Sequence, residues 1–307
     1  MRWFSFLFTL ATLVIGTLGA STYIPDLCAA RFAHSYAAQD NNGETIVQVV
    51  YNYNPSQVVA AVAGSLYLLA SACLFARTFS NRAWWGLCLP IGSLCMAIGF
   101  FIRIALPKDP NSLMIFILQQ LLILLSPAAF LAFNYILYGR FVANCVDPSY
   151  SWVPPRKVAK WFVTSDVTTF LIQSAGGGLQ TSKNVSTDKL GANVMLAGLA
   201  LQAVSFAIFI LLSLHVYRRI RADGISPSRE PWGPIVPTLF FSSAMFMVRC
   251  IYRTIELGQG SGGYLMTHEI WFYVLDTLPL FIGISVYVPF WPSKYLVIKT
   301  GLPTSEK

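Results

Sequence analysis

Seven apolar runs of about twenty residues, joined by short polar connections, constrain this chain more than any other feature. They cover approximately residues 56–76, 83–104, 113–137, 158–179, 191–217, 234–254 and 270–291. A helix rising about 1.5 Å per residue needs about 20 residues to cross a hydrocarbon core of about 30 Å. Inside that core no water satisfies the backbone, so a single spanning segment must pair its own N–H and C=O groups as a helix. The predicted fold is therefore all-α: a polytopic membrane bundle of seven transmembrane helices. Charged residues make up 11% of the chain, against roughly 25% in soluble domains, which leaves little room for a separate soluble domain. No internal repeat stands out, and an odd number of spans argues against two equal inverted halves.

The amino terminus has two readings. Arg2 precedes an apolar run over residues 3–18, followed by Gly19, Ala20 and Ser21. That order is the pattern of a secretory signal peptide over 1–20, cleaved near Ala20. The alternative is an eighth, uncleaved span. With cleavage, 21–55 is an extracellular tail, 56–291 the membrane domain and 292–307 a cytoplasmic tail.

Basic residues orient the bundle. Placing the first loop inside collects Arg77 and Arg82, then Arg140, Arg156, Lys157 and Lys160. It also collects Arg218, Arg219, Arg221 and Arg229, then Lys294, Lys299 and Lys307, thirteen in all. Only Arg31, Arg103, Lys108, Lys183 and Lys189 then fall outside. This bias predicts an outside amino terminus and an inside carboxyl terminus. The sequon Asn184-Val185-Ser186 falls in a loop that this topology places outside, which makes Asn184 a candidate glycosylation site.

Several function classes fall away. The net charge of +8 sits in short loops between apolar spans, which is an orientation signal and excludes a nucleic-acid partner. Residues 176–183, Gly-Gly-Gly-Leu-Gln-Thr-Ser-Lys, lack the Gly-Lys-Ser/Thr ending of a phosphate loop, so no ATPase is expected. These glycines read instead as a loosened helix end that allows close packing. The three histidines, His34, His215 and His268, lie apart, and no metal or other cofactor is expected. The six cysteines do not suggest a disulfide framework. No nucleophile motif of the Gly-x-Ser-x-Gly kind is present, and the chain is not expected to be an enzyme.

One segment does carry chemistry. Arg249, Arg253 and Glu256 close the sixth run, His268 and Glu269 open the seventh, and Asp276 lies inside it. Ionisable groups at membrane depth are costly unless paired or wetted, and they mark functional sites. Arg249 lies about 15 residues, roughly 22 Å, into the sixth span from its inner end. Asp276 lies about six residues, roughly 9 Å, below the outer end of the seventh. The two therefore sit at similar depth and are expected to meet or share a polar network. Asp166 and Gln173 share a face of the fourth span, and Gln119, Gln120 and Gln202 add neutral polar groups. Two readings stand side by side: a static network joining helices, and a polar cavity receiving a headgroup and taking up a proton.

These residues also carry a resemblance. Tyr53-Asn54-Pro55-Ser56 precedes the first span, and Gly99-Phe100-Phe101-Ile102-Arg103 ends the second. The third holds Leu125-Ser126-Pro127-Ala128 and Tyr135 to Arg140. The fourth holds Ser165-Asp166 and 173–178, Gln-Ser-Ala-Gly-Gly-Gly, and the fifth Gly198 to Gln202. The longest stretch is 249–256, Arg-Cys-Ile-Tyr-Arg-Thr-Ile-Glu, with Gly260, His268-Glu269 and Asp276. In these motifs the chain resembles the fungal RTA-like family of lipid-translocating exporters, over about residues 51–291. The resemblance implies seven spans and points to Arg103, Asp166, Gln173, Arg249, Arg253, Glu256, Glu269 and Asp276. It implies translocation or export of amphipathic lipids or lipid-like toxins, such as sphingoid long-chain bases, that confers resistance. The expected partners are membrane lipids or amphipathic small molecules, and the expected location is the plasma membrane. A seven-span receptor or a stress or lipid sensor is the alternative, set back by short inner loops, and an integral membrane lipid enzyme is a third class.

Overall fold

A computed structural model of the protein describes residues 56–105, 113–146, 148–180, 185–259 and 264–296. Within them the regular structure is helical: α1 (Gln57–Ser80), α2 (Cys88–Ala105), α3 (Leu113–Cys145), α4 (Pro155–Gln180), α5 (Val185–Ala222) and α6 (Ile235–Gly258). A last rod follows, made of α7 (Tyr264–Thr267), α8 (Glu269–Trp271), a π-helical segment (Phe272–Thr277) and α9 (Leu278–Ser285). Five of the described helices are long and apolar enough to cross a membrane; α4 and the interrupted last rod are not among them. The signal-peptide region, the tail before residue 56, Asn184 and the last eleven residues lie outside the described residues.

Each long helix packs on the next in sequence, α9 closes the ring against α6 and α1, and α3 crosses to α6. The apolar side chains point both ways. Val58, Val62, Leu66 and Leu69 form an exposed stripe on α1, and Leu201, Val204, Ile208 and Leu211 form another on α5. A continuous apolar exterior of this kind is stable against hydrocarbon and unstable against water. The interior holds stacked rings, with Tyr135 edge-on to Phe209 at 4.7 Å and Phe133 edge-on to Tyr287 at 4.8 Å.

Lipid tails are as apolar as leucine, so helix contacts in a bilayer rest on close packing of small residues. A Cβ on Gly176 would stand 2.6 Å from the backbone nitrogen of Met195 and 2.8 Å from the Gly191 carbonyl. This glycine lets α4 lie directly on α5. The glycine run lies in the last turn of α4; its first member gives the close packing expected of it, while Gly177 faces open space.

Three predicted spans change in extent or form. α3 runs on past residue 137 to Cys145, and α5 extends at both ends of 191–217, because helices continue beyond the hydrocarbon slab that hydropathy detects. The seventh run is not one α-helix over 270–291: its helix ends at Ser285 and is widened over Phe272–Thr277. Pro279 has no N–H to offer the carbonyl of Leu275, so the hydrogen-bond ladder must readjust just upstream. Tyr67 on α1 donates to the Thr277 carbonyl at 2.7 Å from outside the rod.

Candidate functional site

The widened turn brings Asp276 to the centre of a buried ion cluster. On α6, Arg249, Arg253 and Glu256 lie on one face because they are spaced by four and three residues. Arg253 grips Asp276 side-on, with Nε donating to Oδ1 at 2.7 Å and Nη2 to Oδ2 at 3.1 Å. Its Nη1 donates to Glu256 Oε2 at 3.1 Å, and Tyr252 holds the other Glu256 oxygen at 2.9 Å. Arg249 Nε stands 3.2 Å from Asp276 Oδ1. Asp276 is completely buried and Arg249 nearly so. The expected meeting of Arg249 and Asp276 is observed, but Arg253 is the stronger partner, which depth alone did not single out.

A second pair extends the cluster. Arg103 at the end of α2 donates to Glu269 Oε1 at 3.1 Å, and Glu269 Oε2 accepts from the backbone N–H of Ser56 at 2.9 Å. A carboxylate beside the first N–H groups of α1 complements the positive end of that helix. The ring of Phe272 lies between the two systems, with the Arg103 Cζ 5.2 Å and the Arg253 Cζ 5.1 Å from its centroid. Cation–π contacts of this kind strengthen when water is excluded. Arg103 is thus buried within the bundle and is not a loop charge. His268 stays at the exposed start of α8, next to the Tyr264 carbonyl.

The eight sequence-derived residues do not form one pocket. Asp166 and Gln173 face inward from α4 and take different partners: Tyr135 on α3 donates to Asp166 Oδ2 at 3.0 Å, and Gln173 donates to Gln202 on α5 at 2.9 Å. Asp166 Oδ1 is buried with no hydrogen-bond partner. On the exposed side of α4, a groove of about 490 Å³ runs along Lys160, Trp161, Thr164, Ser165, Thr168 and Thr169 to Leu201 on α5.

One polar network escaped sequence reasoning. Asn134 donates to Ser242 Oγ at 2.9 Å and to Ser243 Oγ at 3.2 Å, and accepts from the Tyr287 hydroxyl at 2.8 Å. Ser242 and Tyr287 also pair at 2.7 Å. All four residues are buried, and they tie α3, α6 and the end of the last rod together. Uncharged residues in apolar runs give no signal until the helices are placed side by side.

Residues 89–299 match the family described as RTA1 like protein. The chain belongs to this family. It is 33% identical over 201 residues to protoporphyrin uptake protein 1 of Saccharomyces cerevisiae, covering 64% of this chain and 65% of that one. It is 30% identical over 207 residues to protein RTM1 of the same yeast, covering 64% of each. To the sphingoid long-chain base transporter RSB1 of that species it is 26% identical over 255 residues, covering 69% of this chain and 65% of the other. The chain spans about 64% of the length of the first curated relatives it matches. No solved structure matches it. The family and the apolar exterior together make this RTA1-like chain a multi-pass membrane protein with transport-related relatives.

Proposed function

We propose that this RTA1-like protein translocates amphipathic lipids or lipid-like toxins, such as sphingoid long-chain bases, across a fungal plasma membrane and so confers resistance. The observation that carries the reading is the buried ion cluster built where the last rod widens into a π turn. Charged groups are retained at membrane depth for a reason, and interrupted helices are where membrane transporters hold polar groups of their cargo. Local π turns inside helices recur at functional sites for the same structural reason, a backbone that departs from its regular ladder. Relatives named for sphingoid-base transport and porphyrin uptake support an amphipathic cargo. In this reading Arg103, Gln173, Arg249, Arg253, Glu256, Glu269 and Asp276, with Asp166, form the polar lining of the route. Seven spans with the amino terminus outside complete the proposal, and the burial of Arg103 supports it by removing one basic residue from the outer count.

Two measurements test it. Purified protein in liposomes should bring fluorescent sphingoid-base analogues into reach of an external quencher many times faster than empty liposomes do. An unchanged rate for every amphiphile tried would end the transport reading. Glycosidase should shift the protein on a gel, and Asn184→Gln should abolish the shift; a carboxyl-terminal tag cleaved by protease outside intact cells would reverse the orientation.

A further inference from the structure

The charges inside the bundle do not balance. Arg103 pairs with Glu269, and Arg249 and Arg253 pair with Asp276 and Glu256. Three cations thus meet three acids, and among the described residues Asp166 is the buried acid left over. It is 3% exposed, it accepts one hydrogen bond from an uncharged phenol, and its second oxygen has no partner. A carboxylate in such a place is expensive unless a proton or a cation neutralises it.

Among the described residues the neighbours supply no resident cation. α3 presents the Tyr135 hydroxyl. α5 has no titratable residue between Lys189 and His215, and its Phe206 and Phe209 pack around Tyr135. From α6, Cys250 is within electrostatic reach, and Arg249 beside it is committed to Asp276. On α4 itself the nearest cation is the exposed Lys160, six positions or about 9 Å along the helix. Lys160 lines the α4 groove, whose other members include Ser165, next to Asp166, and Thr169, which donates to the Asp166 backbone carbonyl. Ser165 and Thr169, which lie within three positions of Asp166, thus both line the groove.

We propose that Asp166 is an exchange site, neutralised in turn by a proton and by the cationic headgroup of an amphiphile entering from the α4 groove. The inference rests on the translocation reading and adds to it a charge class of cargo and a coupling ion. The step balances simply: the Asp166 O–H bond breaks, its proton leaves to water, and the carboxylate takes the incoming ammonium as counter-ion. Occupancy by proton and by cation is mutually exclusive, so a proton gradient drives the cation the opposite way without ATP.

A fixed-charge probe, a fluorescent alkyl-trimethylammonium, tests this because it carries no proton of its own. Detergent-solubilised protein in weak buffer should release about one proton per probe bound, and probe affinity should fall about tenfold per pH unit once Asp166 is protonated. Asp166→Asn should bind the probe at least tenfold more weakly and release no proton, while Asp166→Glu should restore release. Proton release absent at full probe binding would overturn the exchange, and so would undiminished binding by Asp166→Asn. If Asp166→Asn fails to fold, the wild-type proton count and pH dependence decide alone. In liposomes, wild-type movement of zwitterionic or neutral amphiphiles but not of the cation defeats this inference and leaves translocation standing; movement of none defeats both.

Discussion

Replacing Asp276 by alanine removes the hub of the ion cluster. The side chain receives two hydrogen bonds from Arg253, at 2.7 and 3.1 Å, and the charge of Arg249 at 3.2 Å. It is fully buried, so neither arginine is compensated by water after the change. Arg253 keeps Glu256 at 3.1 Å, but Arg249 is left with no acid within pairing distance. Charge-assisted hydrogen bonds contribute about 1.5–3 kcal/mol each, and breaking a buried ion pair on one side costs about 3–5 kcal/mol. Asp276→Ala should therefore cost about 4 kcal/mol, close to a thousandfold change in the folded-to-unfolded ratio. Arg249→Met should be milder, about 1–2 kcal/mol, because Asp276 retains the two-point grip of Arg253. Combining both should cost less than the sum of the two by more than about 0.5 kcal/mol, since the stranded Arg249 charge is gone. Equilibrium unfolding in mixed micelles, followed by tryptophan fluorescence, measures all three. Strict additivity, or an Asp276→Ala protein as stable as wild type, would show that the cluster holds nothing together.

Four other changes read out the packing. Tyr287→Phe removes one donor from the Asn134 network and should cost about 1 kcal/mol, whereas Asn134→Ala takes the amide partner from Ser242, Ser243 and Tyr287 at once and should cost about 2–3 kcal/mol in the same assay. Gly176→Leu drives a side chain into the α5 backbone and should lower the melting temperature and the monodisperse yield, by about 1–3 kcal/mol in stability. Gly177→Ala, one residue on and facing open space, should leave both unchanged or improved.

Hydropathy made most of the architecture legible. Helices were the only structure that long apolar runs could adopt in a bilayer, and the described rods lie where the runs are, with α3 and α5 overshooting because hydropathy sees the slab and not the helix. The spacing of Arg249, Arg253 and Glu256 already placed them on one face, and similar depth brought Asp276 to the same level. Which arginine holds that acid was beyond reach, because the choice depends on a π turn whose only trace in the sequence is Pro279. The Asn134, Ser242, Ser243 and Tyr287 network left no trace at all: hydroxyls and amides are common in apolar runs, and only the lateral order of helices makes them partners. Charge shows the same division. Composition alone lists the acids and bases, but pairing is a property of distance, and only the packed bundle leaves Asp166, among the described residues, as the buried acid without a cation.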